Sequence, residues 1–166
     1  MHRTSKGGAG ARFSMTDETF MKTALKEAER AFEKGDCPIG AVVVHESKII
    51  ARAHNQVELL KDPTAHAEMI AITQAAATLG QERLLNTTMY VTMEPCAMCA
   101  GALVLSRVKR LVFGVPDPKA GACGTLYNII QDERLNHRLE VVSGILAEPS
   151  RALVQEFFRK LRKEKR

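Results

Sequence analysis

MYVTMEPCAMCAGALVLSRVKRLVFG, residues 89–114, sets a helix-forming stretch between two apolar runs. MYVT (89–92) reads as a short buried strand and RLVFG (110–114) as the next one. Between them Pro95 opens a helix through CAMCAGALVLS, since proline suits a first helical turn. Working upstream, IGAVVVH (39–45) and KIIARA (48–53) are β-branched runs separated by Glu46-Ser47, a hairpin pattern. A helix starting near Thr64–His66 runs through AEMIAITQAAATL to Gly80, a natural C-terminal stop. Thr16, Asp17 and Glu18 form a helix start, and Phe20, Ala24, Leu25, Ala28 and Phe32 follow at helical spacing until Gly35. Downstream lie a turn-rich loop over 115–124, a short helix, a strand near 139–143 and a final helix from about 147. Strands joined by helices predict an α/β protein with three α/β/α layers. Its sheet of about five strands is mixed, mostly parallel with the hairpin as an antiparallel edge.

The 166 residues fit one domain, expected over 16–166, and 45% hydrophobic with 26% charged side chains excludes a disordered chain. No apolar run reaches the roughly 18 residues of a membrane span, and no apolar signal sequence precedes the domain, so a cytoplasmic protein is expected. Charge is uneven. Residues 151–166 hold seven Lys/Arg and two Glu, while residues 1–15 hold three basic side chains and no acid. The stretch between them holds 14 basic and 17 acidic residues. Residues 1–15 read as a disordered basic extension and the C-terminal end as a basic helix. Basic termini suit a polyanion such as nucleic acid, or simply a solvated helix.

Four cysteines, Cys37, Cys96, Cys99 and Cys123, lack the pattern of a secreted disulfide framework. Cys96 and Cys99 are three apart on one helix, so both thiols can reach a single ion. A helix N-terminus also favours the thiolate that zinc requires. His66, at the start of the preceding helix, supplies a neutral imidazole as third ligand. Three protein ligands leave a fourth position open to water, the pattern of a catalytic zinc, which makes hydroxide available near neutral pH. Glu68 is too close to His66 to share its direction on a regular helix, and can lie beside the water as a proton shuttle. A structural site completed by Cys37 or Cys123 is the alternative. Glu94 reads as support for the helix start at Pro95, and His45, His54 and His137 have no ligand spacing.

His66-Ala67-Glu68 followed by Pro95-Cys96-Ala97-Met98-Cys99 matches the zinc deaminase signature. PTAHAE (63–68), TMEPCAMCAGA (92–102), FGVPDPKAGACGTL (113–126), NHRLEVVSGILAE (136–148) and FFRKLR (157–162) further resemble the bacterial tRNA adenosine deaminases, in order, over roughly residues 16–162. The resemblance implies a cytidine deaminase-like fold, a homodimer, one Zn²⁺ per subunit and conversion of adenosine to inosine at the wobble position of a tRNA anticodon stem-loop. It implies zinc hydroxide attacking C6 with Glu68 moving protons. It also implies substrate contacts by position: Asn55 on the flipped adenine, Ile39 as an apolar wall, Asp117 on the anticodon loop, and Phe158 and Arg159 on the helix that borders the tRNA. Two rival functions share the motif. One is a deaminase of free guanine, cytosine or deoxycytidylate, which has no need of the basic helix. The other is a non-catalytic zinc-stabilised RNA-binding subunit, against which Glu68 argues.

Overall fold

The computed structural model describes residues 3–165, with side chains from Asp17 to Lys165. In chain order the elements are α1 (Arg3–Glu33), β1 (Gly40–His45), β2 (Lys48–His54), α2 (Val57–Leu60), α3 (Ala67–Leu79), β3 (Thr87–Met93), α4 (Ala97–Leu105), β4 (Arg110–Val115), β5 (Glu140–Val142) and α5 (Ala147–Glu164), with a 3₁₀ turn at Ile129–Gln131 before β5. Helix α1 is bounded earlier than the start expected near Thr16, and the extension expected over 1–15 lies outside the described side chains. Glu46 and Ser47 both take positive φ, as a two-residue hairpin turn demands, and Gly80 closes α3 in the left-handed region.

The five strands form one sheet in the order β2-β1-β3-β4-β5. β1 sits between β2 and β3 and runs antiparallel to both, whereas β3, β4 and β5 are mutually parallel. β1 alone runs against the other four strands, so the sheet is mixed, with the antiparallel hairpin edge expected and a second antiparallel pair where β1 meets β3. Two apolar cores explain why both faces are covered. Ala41, Val43, Met89, Val91, Leu111 and Phe113 point one way, onto Ala71 and Ala75 of α3 and Ala100 and Leu103 of α4. Val42, Val44, Tyr90 and Val112, at the alternate positions, point the other way onto Met21 and Ala24 of α1. Helix α5 joins α1 on that second face, its Phe157 ring standing edge-on to Phe32 at 6.1 Å. These three layers are the α/β/α fold expected from the sequence.

One buried polar cluster pins α1 to the sheet. Asp17 is 3% exposed; its carboxylate accepts bonds from Arg110 at 2.7 and 2.8 Å and from the Tyr90 hydroxyl at 2.8 Å. Burial first, and then the bond to Asp17, push the Tyr90 hydroxyl above its ordinary range. Asp17→Ala removes the acceptor that both partners share, so it should destabilise the fold by about 3 kcal/mol, the scale of breaking a buried charge pair. Urea unfolding reads this directly; a loss well below 1 kcal/mol would mean that the pair behaves like an exposed one.

Candidate metal centre and adjoining groove

Three side chains from two helix starts converge. His66 is the N-cap of α3 and Cys96 the N-cap of α4, both with extended backbone (φ −76° in each). Helix α4 begins at Ala97, two residues after Pro95, so Cys96 leaves the loop just as the helix starts. Cys99, in the first turn of α4, is fully buried. The ligand atoms of His66, Cys96 and Cys99 all lie within 4.8 Å of one another. His66 Nδ1 is 3.6 Å from the Cys96 sulfur and 3.5 Å from the Cys99 sulfur. Asn55 fixes the approach: its Oδ1 accepts the Ala67 N–H at 2.8 Å, which anchors the first turn of α3 beside the cluster.

The protons of the cluster are unevenly shared. The Cys99 thiol, and then His66, hold the Cys96 thiol down at about 3. The bond to Cys96 raises His66 and, with burial, raises Cys99. Glu68 lies in the first turn of α3, is 3% exposed, and is pushed up to about 7, chiefly by burial. Its Oε1 is the one buried side-chain oxygen or nitrogen among the described residues with no hydrogen-bond partner. A His/Cys/Cys donor set is the chemistry of a zinc site, and a buried carboxylate oxygen without a partner is what a water-activating centre requires. The residues present fit a zinc ion.

The two other cysteines stand apart from this group. The Cys123 sulfur lies 3.9 Å from the Pro95 carbonyl, toward which its S–H points, and burial raises its thiol. Cys37 is pushed up to about 12, first by burial and then by the negative charges of Asp36, Asp117 and Glu68. Neither joins the donor cluster among the described residues. Because the thiolate is the reactive form and Cys37 is raised, iodoacetamide should alkylate it slowly at pH 8 in the metal-loaded protein. The rate should climb about tenfold per pH unit toward pH 11. Fast, pH-independent alkylation at pH 8 would contradict that environment.

Beside the cluster lies a groove of about 550 Å³, lined by Cys37, Ile39, residues 115–119 and the groove face of α5. Ile39, Asp117 and Phe158 line it, together with Lys119, Arg151 and Arg162. His66, Glu68, Cys96 and Cys99 do not. Ile39 links the two regions, because its carbonyl accepts the Asn55 N–H at 3.1 Å. Arg159 is not part of the groove lining; its guanidinium pairs with Glu156 at 2.6 and 3.0 Å. Lys160 sits 5.7 Å over the Phe32 ring. Phe158, 42% exposed, presents an aromatic face to the groove. His54 is buried, with Nδ1 3.4 Å from Glu27 and Nε2 3.5 Å from Lys34, and His137 meets the Val108 carbonyl at 2.6 Å. Both are structural. Glu94, expected to support the helix start at Pro95, accepts hydrogen bonds from Asp117, Cys123 and Thr125 across the chain. Sequence reading misses this because those partners sit 23 to 31 residues away.

Comparison with known proteins places the chain among deaminases. The family model described as MafB19-like deaminase matches residues 15–162. The tRNA-specific adenosine deaminase of Bacillus subtilis (strain 168) is 56% identical over 150 residues, 90% of this chain and 93% of that protein. That of Aquifex aeolicus (strain VF5) is 51% identical over 148 residues, 89% of this chain and 97% of that protein. A solved structure from work on A-to-I editing by tRNA:A34 deaminases at the wobble position of transfer RNA superposes with a TM-score of 0.79. It is 42% identical and covers 81% of this chain and 98% of its own.

Proposed function

Since the chain belongs to the deaminase family of the tRNA-specific adenosine deaminases, we propose that it converts adenosine to inosine at the wobble position of a tRNA anticodon by hydrolytic deamination. The observation that carries this reading is the buried Glu68, whose Oε1 has no hydrogen-bond partner, beside a His66/Cys96/Cys99 donor set. His66 Nδ1 and the two sulfurs would hold one Zn²⁺, which when bound supplies Lewis-acid activation of water near neutral pH. Glu68 takes one proton from the attacking water and gives it to adenine N1, then takes the second from the resulting C6 hydroxyl and gives it to the departing amine. The C6–O bond forms, the C6–N bond breaks, and ammonia leaves. Asn55 Nδ2 holds the flipped base and Ile39 walls it. Asp117, Phe158 and Arg159 border the anticodon loop. Arg159 must leave Glu156 to do so, an exposed pair of the kind that is weakly held.

A single-stranded loop can present an unstacked base to such a pocket, and Lys119, Arg151 and Arg162 give the groove cations for its phosphates. No helix among the described residues is long and apolar enough to cross a membrane. We place the protein in the cytoplasm as a homodimer, by its likeness to the family. Incubating purified protein with an anticodon stem-loop, free guanine and free cytidine tests the substrate class. Inosine should form in the stem-loop alone. Comparable turnover of either free compound would move the assignment to a base or nucleoside deaminase.

A further inference from the structure

Glu94 is a carboxylate that is 3% exposed, lies two residues before Cys96, and takes no part in the chemistry above. Its Oε1 accepts the Asp117 N–H at 3.0 Å and the Thr125 hydroxyl in a shorter bond. Its Oε2 accepts the Cys123 N–H at 3.0 Å and the Thr125 N–H at 3.1 Å. The loop after β4 is thus wrapped around one carboxylate. Gly121 is what lets it close: a Cβ there would lie 2.5 Å from both Cδ and Oε1 of Glu94 and 2.6 Å from the Asp117 carbonyl. Backbone bonds run alongside, from the Glu94 N–H to the Val115 carbonyl and from the Ala122 N–H to the Pro95 carbonyl, both at 2.9 Å. The far side of the same loop, Pro116 to Lys119, is a wall of the groove. The Asp117 carboxylate also braces its own turn, accepting the Lys119 and Ala120 N–H groups at 2.9 and 3.2 Å.

We propose that Glu94 is a positioning residue: through Asp117, Cys123 and Thr125 it locks the 116–119 wall of the groove to the segment carrying Cys96. The groove and the cluster would then keep a fixed spacing. Only a carboxylate supplies four acceptances here, because a glutamine amide would turn N–H donors against backbone N–H groups. Arg and Lys do not satisfy Glu94; all four donors belong to the loop, so the group is committed to loop geometry rather than to charge neutralisation. The effect on turnover rests on the deaminase reading, while the effect on the loop does not.

The test uses metal-loaded, full-length Glu94→Gln with three readouts. Amide exchange at Asp117, Cys123 and Thr125 should quicken by about tenfold or more, as expected when a buried acceptor is lost. Zinc should stay at one per chain. KM for an anticodon stem-loop should rise about tenfold with kcat within about threefold, the signature of displaced binding rather than lost chemistry. Thr125→Val removes a single hydroxyl and should raise KM by a smaller factor in the same direction, which keeps the idea testable if Glu94→Gln misfolds. Unchanged exchange and unchanged KM would overturn the proposal. So would zinc loss, or a collapse of kcat at constant KM, since either would put Glu94 in support of α4 instead. If wild type fails to deaminate the stem-loop, the functional reading fails, and the exchange measurement still decides the loop anchor.

Discussion

Glu68→Ala is expected to lower turnover of an anticodon stem-loop by about 10⁴-fold, the upper end for a general acid–base group, because one carboxylate handles several proton transfers. Zinc content and stem-loop affinity should stay near wild type. The donor triad does not include Glu68, and the groove lies beyond it. The buried position is what suits the group to this work. Burial lifts it to about 7, close to the pH at which it must both accept and return protons. The sign of the pH dependence follows. Glu68 must be ionised to take a proton from water, so kcat should fall as pH drops through its pKa. A dication on the neighbouring donors favours the carboxylate and sets that limb at or below about 7. Glu68→Ala should lose the limb as well as the rate. A variant that keeps more than about a tenth of wild-type turnover would remove Glu68 from the mechanism.

Cys99→Ala should abolish metal binding and all measurable turnover. Cys99 is fully buried in the first turn of α4, and its sulfur faces His66 Nδ1 at 3.5 Å. Two remaining donors, one on each helix, cannot enclose a tetrahedral ion. Metal binding adds its free energy to folding, so the variant should also unfold at a lower temperature than the loaded wild type. Chelating the metal from wild type should bring the two melting temperatures together. Elemental analysis showing about one zinc per chain in Cys99→Ala would place the metal elsewhere.

Much of the fold was legible because it is written in local periods. Alternation of Ala41 and Val43 with Val42 and Val44 marks a strand buried on both faces, and both faces are covered. The donor triad was legible because each half lies within a few residues of a helix start. What could not be read are the choices made across the chain. The insertion of β1 between β2 and β3, which adds a second antiparallel pair, is a long-range pairing that no local pattern encodes. Helix α2, a single turn of four residues, is shorter than any periodic signal. Phe158 and Arg159 read as one tRNA-facing pair, yet adjacent helical residues point about 100° apart. Phe158 accordingly faces the groove while Arg159 turns to Glu156. Glu94 was legible as support for the helix start at Pro95 but not as the hub of a loop, since three of its four bonds come from backbone amides.

Water activated beside Glu68 should hydrolyse a single adenosine. Running the reaction in ¹⁸O-enriched water with an anticodon stem-loop, then digesting the product to nucleosides for mass spectrometry, tests it most directly. Inosine is expected at the wobble position alone, carrying one ¹⁸O at C6, with one ammonia released. Inosine without ¹⁸O, inosine at other positions, or no inosine from zinc-loaded protein would contradict it.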